Sequence, residues 1–77
     1  MKQNGKTFYF IGIGGIGMSA LAIHLFDQGN KVMGYDKTPS TITSHLMDMG
    51  IPVTFDESVA AIPEDYCKQD TQIIYTP

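Results

Sequence analysis

Apolar and polar positions change their spacing along the chain in a regular order. Thr7 to Ile11 (Thr-Phe-Tyr-Phe-Ile) is a short run of aromatic and β-branched residues ending at a glycine cluster, the pattern of a strand covered on both faces. From Ile16 the spacing turns helical, with Ile16, Ala20 and Ile23 on one face, Leu21 and Leu25 on the adjoining one, and Gly29 after Gln28 as a stop. Lys31 to Tyr35 is strand-like again and ends at Asp36, with Thr38-Pro39-Ser40 as the following loop. Ser40 or Thr41 then caps a second helix in which Ile42, Leu46 and Met49 recur at i, i+4 and i+7, ending at Gly50. Pro52 to Phe55 predicts a third strand. A brief helix follows from Asp56 through Val59, Ala60 and Ile62 to Pro63, and Gln72 to Tyr75 predicts a fourth strand.

Strands alternating with helices imply a parallel sheet joined by right-handed crossovers. The class is therefore α/β, Rossmann-like and three-layered, with a parallel sheet of about four strands. The 77 residues admit a single domain, 1–77, without linker, low-complexity segment or repeat beyond the alternation itself. Ile73-Ile74-Tyr75-Thr76-Pro77 ends the chain at the C-terminal end of a strand, the edge that lines the ligand crevice in such sheets. A domain of this kind normally continues into another helix and strand. The expectation is a domain incomplete at its C-terminal end, whose open sheet edge favours a homodimer.

Phe8 to Phe26 is uncharged and largely apolar, follows Lys2 and Lys6, and contains Ala20-Leu21-Ala22, so it reads in part like a signal peptide or a single span. Gly12, Gly14, Gly15 and Gly17 crowd its centre, each costing about 1 kcal/mol in a helix relative to Ala, which argues against that reading. Five lysines, no arginine and eight carboxylates give a net charge of −3, with no run of like charge. This argues against the footprint of a nucleic-acid partner. Any bound phosphate must be held mainly by backbone N–H groups and a helix N-terminus. The lone Cys67 has no partner for an internal disulfide and fits an inert thiol in a reducing cytoplasm.

Gly12-Ile13-Gly14-Gly15-Ile16-Gly17 satisfies G-x-G-x-x-G directly after a predicted strand and at the opening of a helix. In that setting Gly12 permits the tight turn, Gly14 lets a phosphate approach the backbone, and Gly17 lets the helix pack on the sheet. The plain alternative is a purely structural glycine turn. Asp36 ends the second strand about 20 residues further on, where a carboxylate accepts hydrogen bonds from ribose hydroxyls. Its charge opposes a 2′-phosphate, which disfavours NADP; its plain alternative is a solvated loop carboxylate. Ser19, in the first helical turn, adds a hydroxyl to the phosphate site or is simply a helix serine. Thr76 and Pro77 face the same crevice by topology. Lys37 reads as a solvated loop lysine, and His24 and His45 as partly exposed helix residues. No nucleophile–base pair, metal-ligand pattern or P-loop is present, so these residues point to nucleotide binding rather than catalysis.

Phe10-Ile-Gly-Ile-Gly-Gly-Ile-Gly-Met-Ser19 followed by Gly34-Tyr-Asp36 resembles the amino-terminal domain of the UDP-N-acetylmuramate:L-alanine ligase family. The likeness extends through Thr38-Pro39-Ser40, Met49-Gly50-Ile51, the acidic stretch after Phe55 and the Ile-Ile-Tyr-Thr-Pro end, nearly the whole chain. The resemblance implies a three-domain ligase of peptidoglycan precursor synthesis. Its amino-terminal domain holds the UDP part of the substrate, its central domain is an ATPase, and its carboxy-terminal domain holds the amino acid. It also implies activation of the muramate carboxylate by ATP as an acyl phosphate, then attack by the amine of L-alanine. ATP and Mg belong to the parent enzyme, and no cofactor is expected in this fragment. By resemblance Gly14, Gly15, Ile16 and Gly17 map onto the loop that cradles the UDP pyrophosphate, Asp36 onto the strand end near the uridine, and Thr76 onto the loop after the fourth strand; with Gly12 and Ser19 they make up the expected substrate-binding set. The expected ligand is UDP-N-acetylmuramate. The fragment is expected to be catalytically silent without its ATPase and carboxy-terminal domains, and cytoplasmic, with neither membrane nor nucleic acid as partner.

Three rival readings fit parts of this pattern. A NAD-binding module of a dehydrogenase or regulatory protein satisfies the loop and Asp36 equally well, and ligand identity separates it from the ligase domain. An adenylating enzyme of the ubiquitin-activating kind shares Gly-x-Gly-Gly-x-Gly, but the absence of arginine disfavours a grip on ATP phosphates. A small interaction domain with a bare glycine turn would bind no phosphate at all.

Overall fold

Aromatic and β-branched residues place β1 (Thr7–Ile11) at the centre of a parallel sheet, with β2 (Lys31–Tyr35) on one side and β4 (Thr71–Tyr75) on the other, in a computed structural model that describes residues 6–56 and 71–75. β2 in turn pairs with β3 (Val53–Thr54), giving the strand order β3-β2-β1-β4. The chain thus winds outward from β1 through β2 to β3 and then crosses to the opposite side for β4. The switch of direction falls between β1 and β4, where open parallel sheets of this topology form their ligand crevice. The register sets Ile11 opposite both Tyr35 and Tyr75, so these three residues share the C-terminal edge of the sheet.

The described helices, α1 (Ile16–Asp27) and α2 (Thr41–Met49), contribute to one core. Phe10 and Val32 from the sheet close with Met18 and Ala22 of α1, Leu46 of α2, and Ile51 beyond it, while Phe8 and Ile74 pack against them. Phe8 and Phe10 alternate with Tyr9, so they lie on the face of β1 turned towards this core, while Tyr9 is buried on the opposite face. The helix predicted over residues 56–63 lies outside the described residues. Phe8 to Phe26 resolves into β1, a turn and α1, and among the described residues no helix is long and apolar enough to cross a membrane.

Local chemistry ends each helix where the sequence predicts it. Ser40 caps α2 reciprocally: its Oγ accepts from the Thr43 amide at 3.2 Å, and Thr43 Oγ1 accepts from the Ser40 amide at 2.9 Å. Gly50 closes α2 in the left-handed region at φ 104°, and the Ile51 amide donates to the Leu46 carbonyl at 3.0 Å. At the end of α1, Asn30 donates from Nδ2 to the Leu25 carbonyl at 2.8 Å and accepts the Lys6 amide at 2.9 Å on Oδ1. One side chain thus ties the exit of α1 to the entry of β1. Asn30→Ala is expected to cost about 1–2 kcal/mol, read as a lower urea midpoint with an unchanged m-value. A midpoint equal to that of the parent would show that the tie adds nothing.

Candidate functional site

The glycine loop hangs from the C-terminal end of β2. Gly12 turns the chain at φ 87°, which only glycine adopts readily, and its amide donates to the Tyr35 carbonyl at 2.7 Å. The Ile13 amide donates to the same carbonyl at 3.0 Å, and the Gly15 amide donates back to the Gly12 carbonyl at 3.0 Å. Gly14 makes its bond to a side chain, donating to Asp36 Oδ2 at 2.7 Å. Ile13 is fully buried and seats itself over Gly34 of β2, where a Cβ would lie 2.5 Å from Ile13 Cδ1 and 2.9 Å from the Phe10 carbonyl oxygen. The loop is therefore fastened both by hydrogen bonds and by a buried side chain.

This fastening leaves the N-terminus of α1 open. Gly15 is its N-cap and offers no side-chain oxygen, and the first turn holds no acidic residue. The Ser19 amide donates to the Gly15 carbonyl at 2.7 Å, while the amides of Ile16, Gly17 and Met18 have no acceptor among the described residues. Three N–H groups and the positive end of the helix dipole are thus presented together, the chemistry that receives an anion. The N-terminus of α2 differs, because its capping box satisfies the Thr43 amide internally. Around the open end the surface is apolar: the Ile16 side chain is 81% exposed, and Ile11 and Tyr75 are exposed at the adjoining strand ends.

Gly12, Gly14, Gly15, Ile16, Gly17 and Asp36 come together as the sequence suggests, with duties that differ in part. Gly14 was expected to admit a phosphate, but its own amide is engaged by Asp36, and a Cβ there would lie 2.7 Å from Asp36 Oδ2. Gly17 is expected to pack the helix on the sheet, yet among the described residues nothing beyond its own stretch of helix lies within 4 Å of its Cβ position. Met18 and Ala22 make that packing instead. Ser19 is buried and donates from Oγ to the Ile16 carbonyl at 3.0 Å, so its proton points into its own helix. Thr76 and Pro77 lie outside the described residues. Lys37, His24 and His45 are exposed, and among the described residues no group of three His, Cys, Asp or Glu side chains is placed to hold a metal. Gly34 and Ile13 were missed by sequence reasoning. The available signal was a glycine isolated inside a strand pattern, which marks close approach by another part of the chain.

Strand order, glycine loop and open helix end together define a Rossmann-like α/β fold with three open helix-start amides beside its switch point. A family model described as Mur ligase family, catalytic domain, matches residues 7–76, and the chain belongs to the Mur ligase family. It is 54% identical over 72 residues to the UDP-N-acetylmuramate–L-alanine ligase of Flavobacterium johnsoniae, covering 94% of this chain and 16% of that protein. The ligase of the same name from Porphyromonas gingivalis is 49% identical over 73 residues, again covering 94% of this chain and 16% of the relative. Among solved structures, UDP-N-acetylmuramate-alanine ligase MurC of Thermotoga maritima matches with a TM-score of 0.72 at 39% identity, over 77% of this chain and 14% of that one. The chain thus spans about a sixth of the length of these relatives. The dehydrogenase alternative is not supported by these matches.

Proposed function

We propose that this chain is the UDP-substrate-binding part of a UDP-N-acetylmuramate:L-alanine ligase acting in peptidoglycan precursor synthesis. The observation that carries the reading is the uncapped start of α1, where the Ile16, Gly17 and Met18 amides stand open in a chain without arginine. A pyrophosphate accepts those N–H groups and the helix dipole, so recognition needs no basic side chain. The exposed Ile11, Ile16 and Tyr75 side chains provide apolar surface for the less polar parts of the nucleotide. Asp36 adds negative charge to the rim, which opposes a further phosphate on the ribose and favours a free sugar. In the proposed parent enzyme, ATP with Mg activates the muramate carboxylate and the amine of L-alanine forms the amide, releasing ADP and phosphate. This chain contributes the hold on the substrate, and the ATPase and amino-acid domains contribute the chemistry, in the cytoplasm.

The test is an NMR titration of the isotope-labelled chain, following the amides of Ile16, Gly17 and Met18. UDP-N-acetylmuramate is expected to shift all three, and NAD to leave them in place. Shifts with NAD alone, or with neither ligand, would refute substrate binding by this chain.

Homodimerisation belongs to the same proposal. β4 ends the sheet among the described residues, with Ile73 and Tyr75 exposed along it. An edge of this kind templates pairing with a second copy. Sedimentation velocity is expected to show a weight-average coefficient that rises with concentration; a constant monomeric value would exclude the dimer.

A further inference from the structure

We propose that Asp36 is a positioning residue, whose carboxylate latches the glycine loop into the shape that opens the α1 N-terminus. The inference rests on the binding reading above, but its first observable does not require a ligand. Asp36 Oδ2 accepts from the Gly14 amide at 2.7 Å, and Oδ1 accepts from the Thr38 amide at 3.0 Å. One carboxylate therefore joins the loop after β1 to the loop after β2. It is itself held firmly, because the Asp36 amide donates to the Thr54 carbonyl of β3 at 3.0 Å. Of the three successive loop amides aimed at the end of β2, Gly12 and Ile13 bind the Tyr35 carbonyl and Gly14 alone binds a side chain. That side chain is thus the one acceptor of these three amides that substitution can remove without altering the backbone, the buried Ile13 holding the loop by packing instead.

Electrostatics sharpens the argument. A carboxylate at the rim of an anion site, bonded to an amide two residues before the first open one and with no arginine in the chain, opposes anion binding through space. If charge were its main influence, removing it would tighten binding. A latch predicts the reverse sign, because charge-assisted bonds to backbone N–H groups are the strong ones and their loss frees the loop. The latch also differs from a direct contact with ribose, since inorganic pyrophosphate has no ribose to lose.

The experiment compares Asp36→Ala and Asp36→Asn with the parent chain in three measurements. These are hydrogen exchange of the Gly14 amide without ligand, affinity for inorganic pyrophosphate, and affinity for UDP. In Asp36→Ala, exchange at Gly14 is expected to accelerate about tenfold or more, and both affinities to fall by a common factor of about tenfold. Asp36→Asn keeps a single acceptor oxygen and is expected to fall between parent and Asp36→Ala in all three. Protection of the β2 amides provides the fold control, and Asp36→Asn carries the test should Asp36→Ala fail to fold. Loss of UDP affinity with pyrophosphate affinity intact would overturn the latch in favour of a ribose contact. Tighter pyrophosphate binding would overturn it in favour of simple charge repulsion, and unchanged Gly14 exchange would overturn it outright. Should the parent chain bind neither probe, the binding reading fails, while Gly14 exchange still decides the latch.

Discussion

Gly34→Val is expected to lower the unfolding free energy by about 3 kcal/mol, which for a domain of this size shifts the thermal midpoint by about 15 °C. Gly34 stands in β2 opposite Phe10 and Val53, so any side chain there projects from the middle of the sheet. A Cβ would lie 2.7 Å from Ile13 Cβ and 2.9 Å from the Phe10 carbonyl oxygen. Neither neighbour is the far end of a flexible side chain, and Ile13 is fully buried. Relief therefore requires the loop to lift and expose Ile13, or β1 and β2 to part. The better strand propensity of valine returns at most about 1 kcal/mol. Against a total of about 4–12 kcal/mol for 77 residues, the net loss is large. Urea unfolding of the variant measures it, and a change below about 1 kcal/mol would show that the loop accommodates a side chain cheaply. The Ile16 and Gly17 amides are expected to shift as well, because the same contact positions the start of α1.

The contrast between Gly34 and the helix caps shows which parts of the molecule were legible in the sequence. Local rules sufficed where neighbours in sequence satisfy one another. Ser40 and Thr43 close the start of α2, Gly50 its end, and β1 and β2 have the bounds that their β-branched and aromatic runs predict. Pro52 to Phe55 predicts one strand and only Val53–Thr54 forms it: Pro52 has no amide to donate, and the stretch is held by the Gly34 and Asp36 amides, which donate to the Pro52 and Thr54 carbonyls. What stayed hidden depends on contacts between distant segments. Nothing in Lys-Val-Met-Gly-Tyr states that Ile13 will sit on its glycine, and nothing in the acid at position 36 separates a ribose acceptor from a partner of Gly14. The glycine pattern marked the loop that the fold places at the start of α1, while the hydrogen bond from the Gly14 amide to Asp36 was not legible in it. Pattern reasoning tells where the backbone must be unobstructed, and only the packed chain tells what approaches it.

Gly14→Val is expected to abolish pyrophosphate and UDP binding, by about a hundredfold or about 2.7 kcal/mol, while costing far less stability than Gly34→Val. Among the described residues the positive-φ glycines are Gly12, Gly29 and Gly50, so the backbone at Gly14 suits any residue and the penalty comes from contact alone. A Cβ there would lie 2.7 Å from Asp36 Oδ2 and 3.1 Å from Thr43 Cγ2. Asp36 sits at the rim and can swing aside, which breaks the Gly14 hydrogen bond without disturbing the core. Thr43 is fully buried and bonded to Ser40, so it cannot yield, and the branched valine meets it more severely than alanine would. The damage should therefore fall on loop geometry and binding before stability. A double-mutant cycle isolates the cause: Gly14→Ala should weaken pyrophosphate binding strongly in the parent and only slightly in the Asp36→Ala background, where the obstructing carboxylate is gone. Strict additivity of the two substitutions would mean that Gly14 meets the ligand directly and that its contact with Asp36 is incidental.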